Sequence, residues 1–555
     1  MRSGQRGTRR LWGAVSGILA AAVAMGAAQL LAGLTAPGAS PVVAVGQAAI
    51  DLTPGAVKTW ATSSFGTADK DVLLTGVVVV LAALAAVTGA GAVRRLAYGM
   101  GGLAVLAAVG VAAAVTRPGT SAAWALPTLI GAAAGAYALT RLVRLARAAS
   151  VPGQPASLPP IVFGGGTAPS QGPPQRGDLQ APDPPGVNTP ALRPPPPAPH
   201  STARRSFLVA SGVSLAVAAA GGIGGRELST RRNVGAARSA IRFPRPAVPA
   251  PPLPAGVNLP VPGISPFITP DSQFYRVDTA LLLPQVDPSG WRLRIHGMVD
   301  RELILTFDDL LRQPLIEDYI TLCCVSNPVS GPYIGNAKWL GASVASLLRQ
   351  AGIRRGASQL LCTSVDGFTS GTPTRVVMDG RDALVAVAMN GTALPVEHGF
   401  PARLVTPGLY GYVSACKWVA DIEVTTFEAA QGYWVPRGWS QQAPVKTESR
   451  IDVPASGSTV KAGRVAVAGV AWAQHKGIEA VEVRVDRGPW HEATLAAVPG
   501  LDTWRQWAWY WDATPGSHVV EARATDKTGY TQTSVQAQEV PNGASGYPSN
   551  NVRVR

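Results

Sequence analysis

The opening of the chain alternates between long apolar runs and short polar breaks. Four runs come first, at about 11–34, 72–93, 96–115 and 122–142, rich in Ala, Gly, Val and Leu. As helices, each is long enough to cross roughly 30 Å of hydrocarbon. A fifth run covers 207–225. Small residues of this kind let helices pack closely in lipid. None of the runs carries His, Asp, Glu or Lys in its middle, which argues against a proton path or a haem held by two imidazoles. Farther on the pattern shortens. Residues 291–296 and 358–364 read as strands, and 307–311 and 344–351 as helices. Asp308 lies near the start of the first helix and Gly352 just past the end of the second. After 442 the period becomes two: Val481, Val483 and Val485 alternate with Glu482, Arg484 and Asp486, and Trp507, Trp509 and Trp511 alternate with Ala508 and Tyr510. With 519–524 as strand and 525–529 as turn, this is a β-sandwich pattern.

The breaks give a multi-domain organisation. Residues 1–150 form four transmembrane helices. Residues 151–203 turn to Pro, Gly, Ala and Gln, cannot bury a core, and read as an extended cytoplasmic linker. The fifth transmembrane helix is 204–225. A second Pro-rich stretch, 226–265, reads as an extracytoplasmic tether, followed by a mixed α+β domain over 266–430 and the sandwich over 442–555.

Composition agrees. A chain of 555 residues exceeds one ordinary core, and 47% hydrophobic against 15% charged residues is a membrane-like balance. The net charge of +15 is explained by position. Arg9, Arg10, Arg94, Arg95, Arg141, Arg144 and Arg147 flank apolar runs, so they read as helix anchors and not as a nucleic-acid surface. Arg2 and Arg6 join the N-terminal set, whereas the segment between the first two helices balances Lys58 and Lys70 against Asp51, Asp69 and Asp71. The positive-inside rule then puts the N-terminus and the linker in the cytoplasm. Five crossings leave everything after 225 outside a multi-pass cell-membrane protein. Four Cys exclude a disulfide scaffold.

Candidate chemistry concentrates at 320–341, Ile-Thr-Leu-Cys-Cys-Val-Ser-Asn-Pro-Val-Ser-Gly-Pro-Tyr-Ile-Gly-Asn-Ala-Lys-Trp-Leu-Gly. An apolar strand ends in a thiol followed by a turn, which suits a soft metal ligand, a nucleophile or a buried structural Cys. No His and Asn pair stands out as the partner set of a cysteine protease. Taken whole, Thr-Leu-x-Cys-x-x-Asn followed by Ile-Gly-Asn-Ala-x-Trp-x-Gly resembles the molybdenum domain of the sulfite oxidase family. A second block runs in the family's order: Met389-Asn390-Gly391, Leu394-Pro395, His398-Gly399-Phe400-Pro401-Ala402-Arg403, Pro407-Gly408 and Lys417-Trp418. The resemblance implies a molybdenum–molybdopterin cofactor bound through the sulfur of Cys324, which stands three before Asn327, and not of Cys323. It implies cofactor contacts from Asn327, Asn336, His398, Arg403 and Lys417. A guanidinium and an ammonium suit the pterin phosphate.

Arg276, in Phe274-Tyr275-Arg276, resembles the family's oxyanion-holding Arg. A salt bridge with Asp278 is the equal alternative. Departures surround the resemblance. Val277-Asp278 stands for Asn-His, Pro328-Val329 for two Arg, and Phe368 for the active-site Tyr; an anion-binding Arg is missing around 412–416. The anion pocket is therefore expected to be depleted of positive charge, which puts sulfite in doubt and permits a sulfoxide. Cys362 and Cys416 are open to a disulfide or to two buried thiols. The sandwich resembles the family's immunoglobulin-like dimerisation domain, which implies a homodimer. Arg204-Arg205-Ser206-Phe207-Leu208 is an ordinary basic flank or a twin-arginine export signal. Export of a domain already holding its cofactor favours the signal.

The expected activity is a two-electron oxygen-atom transfer on a small oxyanion or oxo compound. Its alternative within the fold is a sulfoxide or other oxo-compound reductase. A non-enzymatic surface adhesion protein is the alternative from another class. The chain has no Cys-x-x-Cys-His haem motif, which points to a separate electron partner, a cytochrome or a quinone-linked protein.

Overall fold

The computed structural model describes residues 2–65, 68–117, 120–149, 199–231 and 233–555, so the expected Pro-rich linker 151–203 falls outside the described residues up to 198, and its last residues, 199–203, are helical. Seven helices open the chain: α1 (Arg2–Leu34), α2 (Pro41–Leu52), α3 (Gly55–Phe65), α4 (Asp69–Arg94), α5 (Leu96–Val115), α6 (Leu126–Ala149) and α7 (Pro199–Arg231). Five apolar helices, at Thr8–Leu34, Asp69–Arg94, Leu96–Val115, Ala122–Ala149 and Ala203–Ser229, are long enough to cross a membrane. The chain forms two compact units. The first holds residues 1–41, 76–111 and 125–226; the second holds 42–75, 112–124 and 227–555.

In the first unit α1 is gripped through small residues. A Cβ added at Gly17 would sit 1.9 Å from the Ala85 carbonyl oxygen, and one at Gly89 would sit 2.3 Å from that of Gly13. A Cβ at Gly26 would meet the Ala218 carbonyl oxygen at 2.6 Å, and one at Gly131 that of Ala24 at 2.5 Å. Backbones approach this near only where side chains are absent.

The second unit is mostly β. Its first region contains β1 (Arg292–Gly297), β2 (Leu303–Thr306), β3 (Leu315–Cys323), β4 (Ile334–Ser343), β5 (Gln359–Ser364), β6 (Thr369–Pro373), β7 (Leu384–Met389), β8 (Thr392–Ala393), β9 (Arg403–Val405) and β10 (Val419–Thr425). One sheet runs β2-β1-β10-β5-β6, with β1 and β10 parallel; the other runs β3-β4-β7-β8, with β9 on β7. The helices expected at Phe307–Leu311 and Val344–Ala351 are present. The first is capped by Thr306 with Asp309 in a capping box, and the second stops at Gly352 with φ +73°.

The C-terminal region has β11 (Glu448–Val453), β12 (Thr459–Val460), β13 (Gly463–Trp472), β14 (Ile478–Val485), β15 (His491–Glu492), β16 (Thr494–Leu495), β17 (Arg505–Ala513), β18 (Gly516–Asp526) and β19 (Ser549–Val554). They form two sheets, β11-β13-β17-β16 and β12-β19-β18-β14-β15. Val467 and Trp507 of one and Val481, Val483 and Val520 of the other share a core. The period-two signal is real: Val481 and Val483 are buried while Glu482 and Arg484 are half-exposed.

The second Pro-rich stretch is not a loose tether. The Ala247 amide donates to Leu315 O at 2.8 Å, and the Glu317 amide donates to Val248 O at 2.8 Å, covering the free edge of β3. Val257 and Phe267 are buried against Trp472 and Trp504. Prolines cannot nucleate a core, but an existing sheet gives them and their apolar neighbours one to lie on.

Replacing Gly17 by Leu is expected to lower the thermal midpoint of the detergent-solubilised protein, at a cost of about 1–3 kcal/mol from overpacking. Gly76→Leu, on a face where an added Cβ meets nothing within 4 Å, should leave it nearly unchanged. Thermal unfolding followed by near-UV circular dichroism reads both.

Candidate active site

Successive side chains of a strand point to opposite faces, and the end of β3 separates two cysteines on that basis. Cys323 is fully buried in the core that also holds Val470, Trp472 and Trp504 of the C-terminal sheets. Cys324 instead lines a cavity of about 350 Å³. Its amide donates to Tyr333 O at 2.9 Å, and its Sγ lies 2.9 Å from Ser326 Oγ. Burial pushes its thiol pKa up, and the Ser326 hydrogen bond acts against that.

His398, Arg403 and Lys417 line the same cavity, as do Tyr275 and Phe368. Arg403, at the start of β9, is 5% exposed. It donates to His398 O at 3.1 Å and Ala415 O at 3.4 Å and lies 5.1 Å from the Trp339 ring centre. No carboxylate pairs with it among the described residues, and burial lowers its pKa to about 10. Lys417 Nζ donates to Asp278 Oδ2 at 2.9 Å and Glu397 O at 3.0 Å. Burial lowers its pKa to about 8, with Asp278 opposing. His398 Nε2 sits 3.2 Å from Asp271 O. Burial, then Arg403 and Lys417, lower its pKa to about 4, so the ring is neutral.

Three expected site residues do not line the cavity. Arg276 is exposed and paired with Asp278 at 3.0 Å. Asn336 is fully buried, donates to Phe267 O at 2.8 Å and accepts from Thr321 Oγ1 at 2.9 Å; its hydrogen bonds tie β4 to neighbouring strands and loops. Asn327 accepts the Tyr333 amide at 2.8 Å, while its Nδ2 is buried without a partner among the described residues. Cys362 and Cys416 are free and buried, with Cys416 Sγ 3.9 Å from Cys362 O.

Sequence reasoning missed one wall. Ile50, Thr53, Val57, Lys58, Ala61, Asp69, Lys70 and Leu73, from α2, α3, the turn between them and the start of α4, line the cavity. Lys70 Nζ is 2.5 Å from Asp278 Oδ1, and Lys58 Nζ donates to Tyr433 Oη at 3.0 Å. The pocket is thus not stripped of positive charge: Lys58, Lys70, Arg403 and Lys417 face Asp69, Asp278 and Asp366, four against three. The expected crossings, if counted for this segment as well, would have put it on the same side as the stretch after 225. Behind the site, Glu448 is buried with an Oε1 that has no partner among the described residues, and burial raises its pKa to about 8.

Residues 280–434 match the oxidoreductase molybdopterin binding domain family. The chain is 30% identical over 288 residues to mitochondrial sulfite oxidase of Rattus norvegicus, covering 44% of this chain and 52% of that protein. It is 32% identical over 297 residues to sulfite oxidase of Gallus gallus, covering 45% and 63%. It is 31% identical over 153 residues to the uncharacterized oxidoreductase YuiH of Bacillus subtilis (strain 168), covering 28% and 74%. The chain therefore spans between half and two thirds of these sulfite oxidases. Among solved structures, the sulfane dehydrogenase SoxCD from Paracoccus pantotrophus is similar with a TM-score of 0.46 and 23% identity, covering 52% of this chain and 84% of that one.

Two pH dependences follow. Unfolding frees a histidine that binds protons more tightly than buried His398, so its contribution is held above about 6.5 and lost towards about 4. His398→Gln should reduce the loss of thermal midpoint between neutral and mildly acidic buffer. Glu448 is the opposite case: its neutral form is the folded one, so its contribution fades from about 4.5 up to about 8. Glu448→Gln should raise the midpoint in mildly alkaline buffer and have little effect in acid.

Proposed function

The chain belongs to the sulfite oxidase family of molybdopterin-dependent oxidoreductases, and from there we propose that it transfers an oxygen atom and two electrons on the outer face of a membrane that anchors it. The observation carrying this reading is the convergence of Cys324, His398, Arg403 and Lys417 on one cavity.

The cavity suits the family's cofactor. A buried guanidinium without a carboxylate calls for an anion. Gly399, at φ +110°, has no Cβ; one there would meet Arg403 Cβ at 3.0 Å and Lys417 Cβ at 3.1 Å, so this glycine lets both basic residues close in. Cys324 would ligate molybdenum, and Arg403, Lys417 and neutral His398 would hold the pterin and its phosphate. Asn327, with a spare donor behind the Cys324 turn, would support that turn. Asn336 would act at a distance, by fixing β4. When bound, the group supplies the two-electron oxygen-atom exchange. The protein orients it: the core around Cys323 fixes the Cys324 backbone, and aromatic walls restrict water.

For the substrate, a small oxyanion handled as sulfite is by the family is the first reading. The second, a sulfoxide or another less charged oxo compound, is favoured by the pairing of Arg276 with Asp278 and by Phe368 lining the cavity where the family has a Tyr. Either reading needs a separate electron carrier, a cytochrome or a quinone-linked protein. The C-terminal sheets are read as an immunoglobulin-like domain that pairs two copies.

The membrane reading has support of its own. Five alternating crossings from a cytoplasmic N-terminus leave the segments after the first, third and fifth spans outside. Residues 42–75, 112–124 and 227–555 belong to a single compact unit. The twin arginines at 204 and 205 then serve export of the last segment.

Metal and pterin analysis of the full chain, expressed in a cofactor-competent host, tests the proposal. About one molybdenum per chain is expected in the parent protein and in Cys323→Ser, and a ratio near zero in Cys324→Ser. A cofactor-free parent would end it. Assays with sulfite as donor and methionine sulfoxide as acceptor separate the two substrate readings.

A further inference from the structure

Asp278 is a carboxylate with 4% of its side chain exposed and three cations on it: Lys70 at 2.5 Å, Lys417 at 2.9 Å and Arg276 at 3.0 Å. Lys417 and Arg276 are near it in the catalytic region. Lys70 comes from the first turn of α4, more than 200 residues earlier. Its ammonium also donates to Ala280 O at 2.7 Å, and the Leu281 amide donates to Gln47 Oε1 of α2 at 3.3 Å. The other rim of the segment is fastened by Tyr433, which donates to Asp51 Oδ1 at 2.8 Å, and by Arg437, which donates to Asp51 O at 3.0 Å.

The charge count gives this arrangement a purpose. Arg276 has 42% of its side chain exposed and is screened by water, so without Lys70 the buried carboxylate would be neutralised chiefly by Lys417, in a closed pair. That would leave the ammonium little attraction for another anion. A second buried-side cation takes up the carboxylate and leaves the cluster with surplus positive charge beside the cavity.

We propose that Lys70 is a positioning residue of the cavity: it occupies Asp278 and so leaves the Lys417 ammonium available to the phosphate of the cofactor. This rests on the reading of Lys417 as a phosphate contact. The segment 42–75 is accordingly part of the cofactor site and not only a connection between membrane helices.

The test uses the full chain in detergent, with molybdenum and pterin per chain measured before and after extensive dilution. Lys70→Met should retain roughly tenfold less cofactor, the scale of one lost charge-assisted contact. Lys70→Arg should retain it. The decisive variant is Lys70→Met with Asp278→Asn, which removes the carboxylate that captures Lys417 and should restore retention towards the parent value. A purely structural Lys70 predicts the reverse, a double variant at least as depleted as the single one. Retention in Lys70→Met equal to the parent, or a depleted double variant, overturns the proposal. Should Lys70→Met fail to fold, Lys70→Gln carries the same comparison. A parent protein that never contains molybdenum overturns the proposed function instead, so the two failures are distinguishable.

Discussion

The structure depends on what happens in one step of backbone at the end of β3. Strand geometry sends Cys323 one way and Cys324 the other. The inner thiol is sealed into a core that the catalytic strands share with Trp472 and Trp504. The strand is also held laterally. The Thr321 amide donates to Asp502 O at 2.9 Å, its hydroxyl accepts the Trp504 amide at 2.7 Å, and Gln474 donates to its carbonyl at 3.1 Å. With backbone and inner face both fixed, the outer thiol has little freedom left. The C-terminal sheets therefore act on the site directly, as its rear support.

Electrostatics builds on that frame. Desolvation sets the protonation of the cavity: it keeps His398 neutral and raises the Cys324 thiol. Arg403 keeps its charge with no carboxylate partner among the described residues, held by backbone carbonyls and the Trp339 ring. An isolated buried cation is costly for a protein to maintain. The neighbouring Lys417 and Asp278 show the other solution, a charge cluster shared among several elements.

Much of this was legible in the sequence. The five apolar runs are helices, the period-two stretches are strands with most of the expected face buried, and the family resemblance, carried onto Cys324 three before Asn327, singled out the cysteine that lines the cavity. Local pattern sufficed wherever a residue's surroundings come from its own element. It failed where surroundings come from elsewhere. Arg276 pairs with Asp278 two residues on, as its own loop allows, but the other cations on that carboxylate, Lys70 and Lys417, come from distant parts of the chain. Asn336 sits in a motif that reads as a cofactor contact, yet its hydrogen bonds run to backbone and to the hydroxyls of Thr269 and Thr321. The Pro-rich 226–265 stretch lacks any periodic signal because its order is imposed by the sheet edge it covers. Lys58 and Lys70 read as balanced loop charge, since nothing near them hints at Tyr433 or Asp278.

A wall contributed by residues 42–75 makes the catalytic region inseparable from the start of the chain. Truncation at Glu227 would remove Lys70, Val57 and Leu73 together and open the cavity on one side. It also imposes an order of assembly. Ribosomes finish that wall long before Cys324 exists, and in the proposed topology it is already across the bilayer when the last domain follows. The finished enclosure can only close at the end, by docking of two separately delivered pieces.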